Sequence, residues 1–193
     1  MICGRVFSQT KDDYMQAAFS LAKGNDFAGA IQCYNKVLEM DPSNCDAYNN
    51  RGNAKMRLED YNGAIDDFTR LLEFEPKYTK AYYNRGNAKA MIFDYKGAID
   101  DYTITIALAP EYNDAYYNRG YTKLVLKKYK SAITDFDKVI KNAPRFTRSY
   151  LGRAMARHYL GNDMGACEDL NVIKSLGGID VETFIKEYCK NEK

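Results

Sequence analysis

The side chains in this sequence that could do chemistry are few and poorly grouped. The 193 residues contain one histidine, His158, so no site that needs two imidazoles can be assembled, and a lone histidine reads as a surface or packing residue. Neighbouring carboxylates occur at Asp12–Asp13, Asp66–Asp67 and Asp100–Asp101. Consecutive residues of a helix point about 100° apart, so such pairs do not face a common substrate as acid and base. The five cysteines, Cys3, Cys33, Cys45, Cys167 and Cys189, form no Cys-x-x-Cys pair and have no histidine at ligand spacing. They read as reduced thiols filling small apolar spaces. No glycine-rich phosphate loop follows a strand. The sequence therefore predicts no catalytic residue, no metal site and no cofactor.

One set of charged residues is periodic. Arg51, Arg85, Arg119 and Arg153 recur every 34 residues, and Asp67, Asp101, Asp135 and Asp169 recur with the same step. Ala17 and Cys33 stand at the two corresponding places nearer the N-terminus, so both partners are missing together. Joint absence predicts that each arginine pairs with the aspartate 16 residues later. Such a pair, buried between helices, specifies packing more than it adds stability.

The elements that would hold these residues follow from the same period. The phrases AYNNRGNAK, AYYNRGNAK and AYYNRGYTK begin at Ala47, Ala81 and Ala115, and Ala30, Ala64, Ala98, Ala132 and Ala166 keep the step, as do Pro42, Pro76, Pro110 and Pro144. Each repeat reads as an A helix such as 47–58, a turn at Glu59–Asp60, and a B helix such as 61–74 that ends at a proline-bearing loop. In the B helix Ala64, Ile65, Phe68, Leu71 and Leu72 make an apolar stripe. Gly52, Gly86 and Gly120 supply the small places that let helices approach. After Asp180, a candidate N-cap, Val181, Phe184, Ile185 and Tyr188 fall on one helical face and predict a lid over the last B helix.

Composition narrows the partners. The formal net charge of +2 comes from 28 basic and 26 acidic residues mixed along the chain, too balanced a field to draw nucleic acid. No apolar run approaches the roughly 20 residues that span a bilayer, so no membrane insertion is expected. The opening MICGRVFSQT lacks the apolar core of a complete signal peptide. The expected location is cytoplasmic, or exported if residues 1–9 are the remnant of a signal peptide.

Tyr48, Gly52, Tyr61, Ala64, Phe68 and Pro76 stand where a helical hairpin of 34 residues places them in the tetratricopeptide repeat, which this chain closely resembles. The resemblance implies an all-α fold, a right-handed superhelical solenoid of antiparallel helix pairs, and a non-enzymatic function. Its divisions would be an N-terminal arm at 1–10, repeats at 11–44, 45–78, 79–112, 113–146 and 147–180, and a capping helix at 181–193.

In this family the A helices line a concave groove at the second, fifth, sixth and ninth places of each repeat. Those places hold Asn49, Asn50 and Asn53, then Lys80, Tyr83, Asn84 and Asn87, then Asp114, Tyr117, Asn118 and Tyr121, with Arg148 further on. The expected function is a scaffold or adaptor that binds an extended peptide segment of a partner protein. The alternative is a structural subunit of a larger assembly that uses its convex face or its ends. Some members hold the acidic tails of heat-shock chaperones with a carboxylate clamp. The windows Met15, Phe19, Asn50, Lys80, Asn84 and Tyr83, Asn87, Asn118, Arg148, Gly152 do not supply the full set, so a chaperone tail is a minor expectation. Asn50, Asn84 and Asn118 are more similar to the asparagine ladder of the O-linked N-acetylglucosamine transferase repeat domain. A primary amide offers a donor and an acceptor to a peptide backbone of any sequence. Tyr83, Tyr117 and Tyr121 would then anchor side chains.

Overall fold

A computed structural model describes residues 10–189, and every regular element among them is α-helical. The elements are α1 Lys11–Lys23, α2 Phe27–Met40, α3 Cys45–Arg57, α4 Tyr61–Phe74, α5 Thr79–Met91, α6 Tyr95–Leu108, α7 Asn113–Val125, α8 Tyr129–Asn142, α9 Thr147–Tyr159, α10 Asp163–Ser175 and α11 Glu182–Tyr188. The expected arm at 1–10 lies outside the described residues except for Thr10. That residue caps α1 in a box with Asp13, each side chain satisfying a backbone N–H of the other. The chain divides into two compact halves between Gly97 and Ala98, inside α6.

In the first half, sequence neighbours pack in pairs along α1 to α5, and α3 also touches α5. Two apolar clusters hold it: Ala18, Ala30, Tyr34 and Val37 in one, Ala64, Phe68, Leu71 and Ala81 in the other. A Cβ added to Gly52 would lie 2.8 Å from Phe68 Cε1, so the ring needing the glycine belongs to the B helix behind it. Tyr48 and Tyr82 donate their hydroxyls to the carbonyls of Pro42 and Pro76 at 3.2 and 3.3 Å, tying each A helix to the loop before it.

In the second half the same order runs from α7 to α11, with α7 also touching α9. Ala132, Phe136 and Ala156 form one cluster, and Tyr150, Ala154, Leu170 and Ile173 another. Val181 and Tyr188 of the last segment are buried in the second cluster, with Phe184 and Ile185 half-buried beside them. The N-cap of α11 is Val181, not Asp180; the Asp180 carboxylate nonetheless accepts from the Glu182 N–H at 3.0 Å.

The pairs Arg51–Asp67, Arg119–Asp135 and Arg153–Asp169 form as the spacing predicts. Arg51 closes on Asp67 through Nε at 2.9 Å and Nη2 at 2.5 Å, Arg119 on Asp135 at 3.0 and 2.7 Å, and Arg153 on Asp169 at 3.0 and 2.5 Å. These three carboxylates are each 3 % exposed. Each also takes a second cation, Lys55, Lys123 or Arg157, one helical turn further along the A helix. The guanidiniums of Arg51, Arg85, Arg119 and Arg153 lie 5.4 to 5.6 Å from the ring centres of Tyr48, Tyr82, Tyr116 and Tyr150.

The A-to-B turns hold a regularity that the residue types conceal. Asn25, Glu59, Phe93, Lys127 and Gly161 all have positive φ, between 58° and 78°. Each is followed by a residue whose N–H reaches back five places, as Asp60 does to the Lys55 carbonyl at 2.9 Å, which closes the A helix in a left-handed cap. In four of the five turns that same residue also caps the B helix: Asp26, Asp60, Asp94 and Asn162 accept from the N–H of Gly29, Gly63, Gly97 and Gly165.

The cysteines correct the expectation of reduced thiols. Cys167 and Cys189 are joined in a disulfide with Cα atoms 5.4 Å apart, and Cys33 is disulfide-bonded as well. Spacing along the chain hides such a bond, because Cys189 reaches Cys167 only after α11 folds back on α10. Cys45 is free, and burial pushes its thiol up to about 11, far from a reactive thiolate.

Candidate peptide-binding surfaces

In the first half the amide-bearing residues of α3 and α5 come together. The Asn84 Nδ2 donates to Asn53 Oδ1 at 3.0 Å, linking the A helices of successive repeats, and Asn49 Nδ2 donates to Asn50 Oδ1 at 3.2 Å. All four side chains are half-buried, and the Asn49 Oδ1 is enclosed without a hydrogen-bond partner. Tyr83 and Asn87 are half-buried on α5 and Lys80 is exposed near its start.

Asn50, Asn53 and Asn84 border a depression of about 490 Å³. Its apolar wall includes Phe19, Phe27 and Met56, and Tyr34 lies at its base with its phenol pushed up by burial. Phe19 is 64 % exposed although it is a large aromatic ring. Lys23 and Arg57 also line the space. The Arg57 guanidinium lies 4.9 Å over the Phe27 ring. Phe19 occupies the ninth place of its repeat, the same place as Asn53, so that register is the signal that marks it. Phe27, Met56, Lys23 and Arg57 lie outside the four groove places and were missed.

In the second half Tyr117, Asn118 and Tyr121 share α7 and behave differently. The Tyr117 ring packs edge-on to Phe146 at 5.3 Å and tilted to Phe136 at 6.1 Å, and burial raises its phenol despite the nearby Arg148. Asn118 is half-buried. Tyr121 is 51 % exposed and lines a separate shallow space with Leu124, Val125 and Met155.

The remaining chemistry is structural in kind. His158 donates its Nδ1–H to the Asp163 carboxylate at 2.6 Å, and its ring stacks on Tyr188 with centres 3.8 Å apart. The lone histidine thus holds the closing helix. Among the described residues no group of His, Cys, Asp and Glu gathers that could hold a metal, and no helix is long and apolar enough to cross a membrane.

Comparison with known proteins agrees with this geometry. Models of the tetratricopeptide repeat match residues 20–58, 45–78 and 94–145, together more than half of the chain, and the chain belongs to the tetratricopeptide-repeat family. No curated protein sequence matches it significantly. A crystal structure of MamA protein is similar at 29 % identity and a TM-score of 0.79, over 95 % of this chain and 96 % of that one. A structure of residues 41 to the end of MamA from Desulfovibrio magneticus RS-1 matches at 18 % identity and a TM-score of 0.84, over 89 % and 97 % of the two chains. YrrB, described as a TPR protein with an unusual peptide-binding site, matches at 21 % identity and a TM-score of 0.80, over 94 % and 92 %. At their lower identities the last two show the fold alone. The repeats are of the kind that serves as a protein-interaction scaffold.

Proposed function

We propose that this protein is a non-enzymatic adaptor that takes an extended segment of a partner protein against the amide-bearing A helices. The observation that carries the reading is the meeting of Asn50, Asn53 and Asn84, from α3 and α5, around an open depression in the first half. Neighbouring packed helices lie roughly 8 to 10 Å apart and an extended peptide advances roughly 3.3 Å per residue. Amides on successive A helices therefore meet the backbone about once in three residues. The peptide-binding site named for YrrB is a parallel in a protein of the same fold. Tyr121 offers an exposed ring for a further contact in the second half. Division into five repeats over 11–180, with 181–193 as a closing segment, belongs to the same proposal.

The compartment also bears on function. Disulfides persist in oxidising surroundings and are rare in the cytosol, so the Cys167–Cys189 bond supports an exported or otherwise oxidising location over a cytoplasmic one.

A selection from a displayed library of random peptides about a dozen residues long tests the binding reading. Peptides should be enriched by the wild-type chain and lost with Asn50→Ala/Asn84→Ala. Enrichment that ignores both substitutions would place binding on another face, such as the convex side or the ends.

A further inference from the structure

The depression in the first half has a chemical character beyond its amides, and the inference drawn from it rests on the groove reading above. Its apolar wall of Phe19, Phe27 and Met56 faces an opening with no carboxylate in the lining. Two cations, Lys23 and Arg57, stand beside that wall. Neither is in an ion pair among the described residues. Stacking on Phe27 steadies the Arg57 guanidinium without neutralising it, and Lys23 sits in the last turn of α1, where the helix dipole favours a cation.

We propose that this depression docks a partner segment in which a large apolar side chain stands next to an aspartate or glutamate. The apolar side chain would cover Phe19, which is 64 % exposed, and the carboxylate would meet Lys23 and Arg57. A guanidinium and an ammonium at the edge of an apolar space form stronger charge-assisted hydrogen bonds with a carboxylate than with an amide. The preference is local: the net charge of +2 over the whole chain gives no general attraction for acidic peptides.

The same displayed library, read by sequence, tests this. Peptides enriched on the full-length wild-type chain should carry a large apolar residue beside Asp or Glu about tenfold above the input frequency. Lys23→Gln/Arg57→Gln should erase the acidic preference and keep the apolar one, and Phe19→Ser should do the reverse. A synthetic copy of the best peptide with Glu replaced by Gln should bind the wild-type chain about tenfold more weakly by fluorescence anisotropy, a comparison that needs no protein variant. Peptides that depend on Asn50 and Asn84 but show no acidic preference, or that bind equally as Glu and Gln forms, would overturn the inference and leave the groove reading standing. Enrichment of no peptide at all would overturn both.

Discussion

The amide of Asn84 donates to the amide of Asn53, 31 residues earlier, at 3.0 Å, so the A helices of two successive repeats are joined by the groups that would read a peptide. A primary amide has two donor hydrogens and an acceptor with two lone pairs. One mutual bond fixes the orientation of both side chains and leaves capacity on each. Side chains held in place before binding lose less entropy when they bind, which is the physical advantage of this arrangement.

Asp135 should be among the costliest single positions to lose. Its carboxylate is 3 % exposed and holds both Arg119 and Lys123, themselves 14 % and 15 % exposed. Asp135→Ala leaves those cations enclosed and unpaired, a loss of about 3 kcal/mol in urea unfolding. A double-mutant cycle with Arg119→Met should show coupling on the order of 1 kcal/mol or more, and coupling near zero would mean independent solvated charges.

Glu59 should be improvable. It sits at φ 62°, where an L side chain costs about 1 kcal/mol relative to glycine, and it is exposed. Glu59→Gly is expected to raise the melting temperature by a few degrees, partly offset by the flexibility glycine adds to the unfolded chain. A lower melting temperature would show that the glutamate side chain stabilises the turn.

Much of this was legible from spacing, for physical reasons that differ by residue. Arg51 and Asp67 could be paired because both recur, and both vanish together at Ala17 and Cys33. The stripe of Val181, Phe184, Ile185 and Tyr188 pointed to a lid because helical periodicity survives in a short segment. The left-handed turn residues escaped notice, since Glu, Phe and Lys have no intrinsic preference for positive φ and only Asn25 and Gly161 are of types that favour it. The Cys167–Cys189 bond was hidden by the fold-back of α11. The wall of Phe27, Met56 and Arg57 was hidden because Phe27 comes from a B helix and Met56 and Arg57 from the last turn of the next A helix, while the groove places cover only the earlier turns of an A helix.

The closing segment should contribute several kcal/mol. Deleting residues 181–193 uncovers the cluster around Leu170 and Ile173 and removes the buried side chains Val181 and Tyr188, each worth about 1.5 to 3 kcal/mol. Replacing Cys167 and Cys189 by serine should cost about 3 kcal/mol through the freed loop. Differential scanning calorimetry should show both losses, and unchanged melting would refute the lid.

Alkaline pH should loosen the same end. Burial pushes the Tyr188 phenol up to about 12 from 10.0, so the unfolded chain loses this proton before the folded one does. The contribution is fully present below pH 10 and is lost as pH rises through about 12. Tyr188→Phe should flatten the decline in stability over that window, and an identical decline in both chains would assign it to other groups.

The most direct test of the account is the affinity of a selected peptide for the wild-type chain and for Asn50→Ala/Asn84→Ala, measured by fluorescence anisotropy. Alanine is the better helix former, so the double variant should stay folded by circular dichroism. Two lost backbone contacts of about 0.5 to 1.5 kcal/mol each predict a dissociation constant about 5- to 150-fold higher. An unchanged dissociation constant in a folded variant would contradict the account and place binding away from the amides of α3 and α5.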